Sequence, residues 1–262
     1  MRFFTDLPSL VEGLPYIDEV LPWSARPESD FTALEYENAK PFSVHCSKIL
    51  GDLLGLNVVD VRPDIVFDGD VAASFVHSFE RHPRPRIVIQ RDPGFYTPNK
   101  RWPDEYWHSL VESLVVQATV IEIGSEAVGL PMVFENYLDL RAHTSLAELA
   151  ALLSWSDVFV GPVSGPSHLA AAVGTPSVII IGGFEGPFVA AYDDSVRLHS
   201  AVSCAPCWKT EPCPFDLKCL RMISPEEVAA EVWAILQPDL TPEGDSVRNA
   251  VTSPNAASPS TT

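Results

Sequence analysis

Apolar runs and amphipathic segments alternate through residues 81–236. Short apolar or β-branched runs that fit buried strands occupy residues 86–90, 119–124, 131–136, 157–161 and 177–183. Apolar residues recur at helical spacing in the stretches between and after them, at 103–117, 145–156, 166–173 and 224–236. This alternation predicts an α/β fold with a doubly wound, Rossmann-like parallel sheet.

Local signals place several helix ends. Pro103 suits the first position of a helix, because its missing N–H has no partner there anyway. Ser145 with Glu148 three residues later forms a capping-box pattern. Gly174 and Pro176 stop the helix that precedes the strand at 177–183.

The two ends of the chain are less regular. Residues 9–14 and 46–56 have helical character and residues 58–61 could form a strand, so residues 1–80 are interpreted as a reduced N-terminal domain. Residues 237–262 are rich in Pro, Ser, Thr and Asn without apolar periodicity. Such a composition predicts a disordered tail.

Charge and composition exclude several classes of function. The formal net charge of -18 argues against nucleic-acid binding, because an acidic surface repels phosphate backbones. The sequence contains no stretch of 18 or more apolar residues, so no membrane span is predicted. The first residues show no secretory signal, and five cysteines are too few for a disulfide scaffold, so the expected location is cytoplasmic.

The sequence SGPSH at residues 164–168 is the strongest candidate for binding chemistry. It follows the predicted strand at 157–161 and opens a helix, where free N–H groups and the helix dipole attract anions. Ser164, Gly165, Pro166 and His168 are therefore predicted to bind phosphate. The alternative is an ordinary N-cap with a surface histidine.

Two further segments follow predicted strands. Lys100 and Arg101 lie where a cation could neutralise phosphate at the same sheet edge, although a solvated pair is the alternative. Glu126 follows the strand-ending Gly124 and could accept ribose hydroxyls, or it could be a solvated loop residue. Trp102 is interpreted as a packing residue.

The sequence CAPCWKTEPCPFDLKC carries Cys204, Cys207, Cys213 and Cys219. A C-x2-C pair with two further thiols can enclose zinc or iron in a tetrahedral site. A closed four-thiolate site would be structural. Two disulfides or four unligated thiols remain as alternatives, and Cys46 is interpreted as a core residue.

Three segments together resemble family 9 glycosyltransferases, the ADP-heptose:lipopolysaccharide heptosyltransferase family. They are KRWPDEYW at 100–107, residues 145–183 with SGPSHLAAAVGTP, and CAPCWKTEPCPFDLKCLRMISPEEV at 204–228; LPSLVEGLPYIDEVLP at 7–22 is also similar. The resemblance implies a GT-B fold of two Rossmann-like domains. It implies inverting transfer of a sugar from a nucleotide-diphosphate sugar such as ADP-heptose to a glycan, lipid-linked or protein acceptor.

The resemblance assigns diphosphate binding to the 164–168 loop, donor contact to Lys100, and ribose or base contact to Glu126. It also relates the cysteines to family members that hold iron with four cysteines.

The sequence departs from the family in two ways. Val163 stands where the family usually has Asp, and no residue matches the family's N-terminal Gly-rich loop and Asp base. These departures leave a second hypothesis, an inactive relative that binds nucleotide sugar or serves in assembly. A third makes the cysteine cluster an iron-dependent redox site.

Overall fold

The computed structural model describes residues 2–237 except 6, 8, 10, 28–43, 68, 130, 190 and 191. The predicted tail lies outside the described residues from position 238 onward. The strands are β1 Arg2–Phe4, β2 Glu19–Leu21, β3 Arg86–Gln90, β4 Thr119–Ile123, β5 Tyr137–Asp139, β6 Val158–Gly161, β7 Ser177–Gly182 and β8 Ser195–His199. The α-helices are α1 Cys46–Leu53, α2 Gly69–His77, α3 Asp104–Leu114, α4 Leu146–Trp155, α5 Gly165–Val173, α6 Lys218–Arg221 and α7 Pro225–Leu236.

The main sheet has six parallel strands in the order β5-β4-β3-β6-β7-β8. Counted from β3, this is the 3-2-1-4-5-6 order of a doubly wound Rossmann-like sheet, so the predicted fold class is confirmed. Every residue of β3, β4, β6 and β7 is buried, as parallel strands covered on both faces require.

Helices cover the sheet on two faces and form two apolar clusters. One cluster packs α3 and α7 against the sheet through side chains such as Leu110, Leu114 and Val232. The other packs α4 and α5 through side chains such as Leu152 and Leu169. The Ser145–Glu148 capping box that starts α4 is present, and Gly174 ends α5 in the left-handed conformation with φ of 77°.

The strand prediction at 131–136 is wrong, because the edge strand is Tyr137–Asp139. Met132 and Phe134 do pack against the first cluster, but they do so from a loop, so apolar alternation alone was misleading. The sheet also contains β8, which the pattern did not predict. Val196 and Leu198 alternate there with polar residues on an edge strand.

The N-terminal residues confirm one prediction and correct two. Helix α1 falls within the predicted 46–56 segment, whereas the described residues of 9–14 and residues 58–61 form neither the predicted helix nor the predicted strand. Residues 58–61 instead lie in a segment without regular secondary structure, from which Val61 packs against the second cluster. Helix α2, which was not predicted, packs on α4.

The division into domains at residue 80 stays a prediction. No helix among the described residues is both long enough and apolar enough to cross a bilayer.

Candidate functional site

The site lies at the carboxyl ends of β3 and β6, which are neighbours in the sheet. The chain leaves these two strands in opposite directions, so a crevice opens between them. Gln90 ends β3 and Gly161 ends β6. A side chain at 161 would approach the Phe159 ring to 2.7 Å and the Gln90 Cβ to 3.3 Å. Glycine at 161 therefore allows the end of β6 to pack closely against Phe159 and Gln90.

The loop from Ser164 to Ser167 forms a rigid entrance to α5. The Ser164 N–H donates to Ser167 Oγ at 3.0 Å, and Ser167 Oγ–H donates to the Ser164 carbonyl at 2.8 Å. The Ser164 hydroxyl donates to Gln90 Oε1 at 2.5 Å. A Cβ on Gly165 would meet no atom within 4 Å, so the backbone there is open to a ligand. An open helix N-terminus of this kind is suited to an anion.

Lys100 approaches this loop from the 3-10 turn Pro98–Lys100. Its Nζ donates to the Val163 carbonyl at 3.2 Å and to Glu185 Oε1 at 2.5 Å. The two charged side chains are only 14% and 9% exposed. The ammonium also lies 5.2 Å from the centre of the Phe184 ring. A cation is thus held in place next to the N-terminus of α5.

His168 lies one helical turn into α5. Its Nδ1 is 2.6 Å from the Tyr192 hydroxyl. Burial, together with the nearby Lys100 charge, lowers the pKa of His168 below its ordinary value, so the ring is neutral at pH 7. Burial raises the pKa of Tyr192, which keeps its proton. A tyrosine that donates to Nδ1 leaves the imidazole proton on Nε2, where it can serve as a donor.

Three adjoining cavities line the crevice. The first, of about 250 Å³, is lined by Ser164, Gly165 and Pro166 together with the ends of β3 and β4. A second, of about 90 Å³, reaches Glu126. A third, of about 200 Å³, contains Lys100 and shares Ser164 with the first. His168 is not among the described residues that line these three cavities. His168 therefore lies behind the loop.

The loop that carries Glu126 is anchored by a buried ionic cluster. Glu122 Oε1 accepts from Arg91 Nε at 2.7 Å and lies 3.4 Å from Arg141 Nε, and its Oε2 accepts from the Tyr137 hydroxyl. Arg141 reaches past Glu122 and donates from Nη1 to the Val128 carbonyl at 2.5 Å. The exposed Glu126 thus stands on a fixed loop.

The structure brings Lys100 and residues 164–166 together and places Glu126 at the far end of the same crevice. Arg101 pairs with Asp92 at 3.2 Å, as Lys100 pairs with Glu185, and it lines the cavity that reaches Glu126. Trp102 is buried and donates to the Ile223 carbonyl at 3.0 Å, which confirms its packing role.

Sequence reasoning missed Gln90 and Glu185 at the crevice and Tyr192 behind the loop. Glu185 follows the carboxyl end of β7, so the rule that found Lys100 could also have found it. Glu122 was visible as a lone charge inside the apolar run TVIEI.

The four clustered cysteines all line one small cavity of about 20 Å³. None of them forms a disulfide, so the disulfide alternative is not supported. Within the part of the chain that is described, no three Cys, His, Asp or Glu side chains are gathered as metal ligands. The metal expectation is therefore not shown. Burial and the neighbouring Cys213 and Cys204 thiols raise the pKa of Cys219.

Comparison with known proteins agrees with this architecture. The sequence model of glycosyltransferase family 9 (heptosyltransferase) matches residues 45–217. Lipopolysaccharide heptosyltransferase 1 of Pseudomonas aeruginosa is 32% identical over 185 residues, which are 61% of this chain and 49% of that protein. The chain thus spans about half the length of this relative.

Solved structures show the same fold at lower identity. The iron-containing dodecameric glycosyltransferase TibC from enterotoxigenic E. coli aligns with a TM-score of 0.64 at 19% identity, over 89% of this chain and 67% of that chain. A TibC structure in complex with ADP-D-β-D-heptose aligns with a TM-score of 0.62 at 21% identity, over 89% of this chain and 66% of that chain.

The strand order, the crevice and these alignments place the chain among GT-B proteins with Rossmann-like domains. Within that class the family is also shown, since the family model covers well over half of the sequence. The chain belongs to glycosyltransferase family 9, the heptosyltransferase family.

Proposed function

We propose that this chain binds a nucleotide-diphosphate sugar and acts in heptosyl-type transfer with inversion at the anomeric carbon. The observation that carries the proposal is the open N-terminus of α5 with Lys100 fixed beside it. A helix N-terminus and a cation that converge on one point form a diphosphate site.

The cavities support one orientation of the donor. The diphosphate occupies the entrance of α5 at Ser164, Gly165 and Pro166, which both larger cavities approach. The nucleoside extends toward Glu126, whose carboxylate accepts hydroxyls of the ribose or contacts the base. The sugar then lies in the remaining cavity, beside Lys100 and Glu185.

The reaction has one bond-forming and one bond-breaking event. An acceptor hydroxyl oxygen attacks the anomeric carbon from the face opposite the diphosphate, and the bond from that carbon to the phosphate oxygen breaks. The electron pair leaves with the diphosphate, while the hydroxyl proton passes to a base. Lys100 and the α5 N-terminus stabilise the charge that grows on the leaving group.

The family supports a particular choice of donor and acceptor. A relative is named a lipopolysaccharide heptosyltransferase, and TibC is recorded with ADP-heptose. ADP-heptose is accordingly the proposed donor, and a glycan, lipid-linked or protein hydroxyl is the proposed acceptor. The cytoplasmic location stays a prediction.

Donor binding is tested by calorimetry with ADP, GDP, UDP and CDP and with their sugar conjugates. We expect ADP and ADP-heptose to bind best. Lys100→Met should weaken ADP binding about 10- to 100-fold, because a charge-assisted hydrogen bond is lost. His168→Ala tests whether His168, which lies behind the loop, also affects ADP affinity.

The matched control is Lys48→Met, which removes the same charge from an exposed position on α1. It should leave ADP affinity within about twofold of the wild type. Equal affinities of the wild type and Lys100→Met for ADP, or no nucleotide binding at all, would contradict the donor site.

The second candidate function is an inactive relative that binds nucleotide sugar or serves in assembly. Val163 favours it, since its side chain is buried in the second apolar cluster and supplies no carboxylate to the crevice. Release of ADP from ADP-heptose in the presence of a lipopolysaccharide acceptor distinguishes the two. Tight binding without any release of ADP supports the inactive relative.

We also propose a structural zinc or iron ion at Cys204, Cys207, Cys213 and Cys219. All four cysteines line a cavity of about 20 Å³, which has room for one water-sized species, and four sulfur donors suit either metal. A bound ion would draw the loop together and would not enter the transfer step.

Elemental analysis of the purified protein tests this proposal, with one metal per chain expected. Four freely titratable thiols without metal would exclude it. Zinc alone would end the hypothesis of an iron-dependent redox site.

A further inference from the structure

Residues 204–219, here called the cysteine-rich loop, touch both partners of the Lys100–Glu185 ion pair through neighbouring residues. On one side, the Cys207 N–H donates to the Gly183 carbonyl at 3.0 Å and the Trp208 N–H donates to the Phe184 carbonyl at 3.1 Å. These bonds fix the backbone that leads directly into Glu185.

On the other side, the loop is bonded to the turn that carries Lys100. Asn99 Nδ2 donates to the Lys209 carbonyl at 2.6 Å and to the Glu211 carbonyl at 2.8 Å. Thr97 Oγ1 also donates to the Lys209 carbonyl, at 3.1 Å. Asn99 is only 3% exposed, so water does not readily replace these bonds.

Asn99 is oriented by its nitrogen alone. Its Oδ1 is buried and has no hydrogen-bond partner among the described residues. An unsatisfied buried carbonyl is costly. The two hydrogen bonds from Nδ2 to the carbonyls of the cysteine-rich loop offset this cost and hold the side chain in its orientation. Asn99 also lines the cavity of the four thiols, and it directly precedes Lys100.

We propose that Asn99 is a positioning residue for donor binding, which transmits the conformation of the cysteine-rich loop to Lys100. The inference rests on the proposed function, because it assigns Lys100 to the donor diphosphate. When the loop is ordered, its carbonyls hold the turn and the ammonium points to the N-terminus of α5. When the link is cut, Lys100 loses its fixed position and donor affinity falls.

The test is a double-mutant cycle on ADP affinity, measured by calorimetry on the full chain. Asn99→Ala removes both bonds to the loop, and we expect it to weaken ADP binding about tenfold, the equivalent of about one hydrogen bond. In the Lys100→Met background, the same substitution should change affinity by less than about twofold, because the residue it acts through is gone.

Asn136→Ala is the matched control. Asn136 Nδ2 also donates to a backbone carbonyl, that of Val115 at 3.0 Å, but it lies outside the cysteine-rich loop and the crevice. This variant should lose stability while its ADP affinity stays within about twofold of the wild type. Circular dichroism and thermal unfolding establish that each variant is folded, and Thr97→Val replaces Asn99→Ala in the cycle if the latter does not fold.

The outcomes are distinct. Loss of affinity on Asn99→Ala that disappears in the Lys100→Met background supports the proposal. An unchanged affinity, or an equal loss in both backgrounds, overturns it and leaves Asn99 with a purely structural role. If Lys100→Met itself leaves ADP binding intact, the result contradicts the proposed donor site rather than the role of Asn99.

Discussion

Replacement of the buried Glu122 by glutamine should destabilise the fold and loosen one end of the crevice. Glu122 is 1% exposed and faces Arg91 and Arg141, which are 8% and 4% exposed. Glu122→Gln keeps the size of the side chain but removes the negative charge that the two arginines share. It also puts an amide next to the Tyr137 hydroxyl.

The magnitude follows from the charges that remain. Removal of one partner of a buried ion pair costs about 3–5 kcal/mol. Arg141 keeps Asp139 at 2.7 Å and Arg91 keeps the exposed Asp104 at 3.7 Å, which offsets part of this loss. We therefore expect the free energy of unfolding to fall by about 2–4 kcal/mol.

The assay is urea unfolding at pH 7, followed by circular dichroism. At a slope of about 2–3 kcal/mol per molar urea, the midpoint should fall by about 1 M. Glu148→Gln is the control, since it makes the same chemical change at a half-buried capping position where glutamine also serves. Glu148→Gln should lower the free energy of unfolding by less than about 0.5 kcal/mol.

A loss below about 1 kcal/mol for Glu122→Gln would refute the reasoning, because it would mean that the arginines do not depend on this charge. A functional consequence is expected as well. Arg141 holds the Val128 carbonyl, so the loop that carries Glu126 should loosen and nucleotide affinity should fall.

Three further predictions concern stability. His45 is buried, and burial with the nearby His168 lowers its pKa from 6.5 to about 4. Its neutral form therefore stabilises the fold above pH 6.5 and this contribution is lost as the pH falls toward 4; the full shift is about 3 kcal/mol, of which solvent screening leaves about 1–2 kcal/mol. Urea midpoints measured between pH 7 and pH 4 should drop less for His45→Gln than for the wild type, and parallel profiles would contradict the assignment. Gly182→Ala should cost about 2–4 kcal/mol in urea unfolding, because φ is 63° and the new Cβ would lie 2.5 Å from Leu220 Cδ2; a loss below about 1 kcal/mol would contradict this. Ser145→Ala removes the α4 cap and should lower stability by about 1 kcal/mol, a change measurable as a lower thermal midpoint, whereas an unchanged midpoint would show that the cap bond contributes little.

Much of the fold could be predicted from the sequence because the patterns that specify its elements involve residues close together in the chain. Strand β3 begins and ends where the apolar run at 86–90 does, and the start of α4 follows from Ser145 and Glu148. The failures have physical causes as well. The segment at 131–136 alternates like a strand but packs from a loop, since pairing with β4 begins only near Tyr137.

The sequence by itself determined the fold class and the family resemblance, and it predicted phosphate binding at 164–168. These depend on periodicity, capping residues and a helix entrance, which involve residues close in the chain. Only the tertiary structure decided that Lys100 pairs with Glu185 at 2.5 Å and that Asn99 binds the carbonyls of Lys209 and Glu211. Such contacts join residues 85 to 112 positions apart, and they are fixed by strand order and burial, which no local pattern encodes.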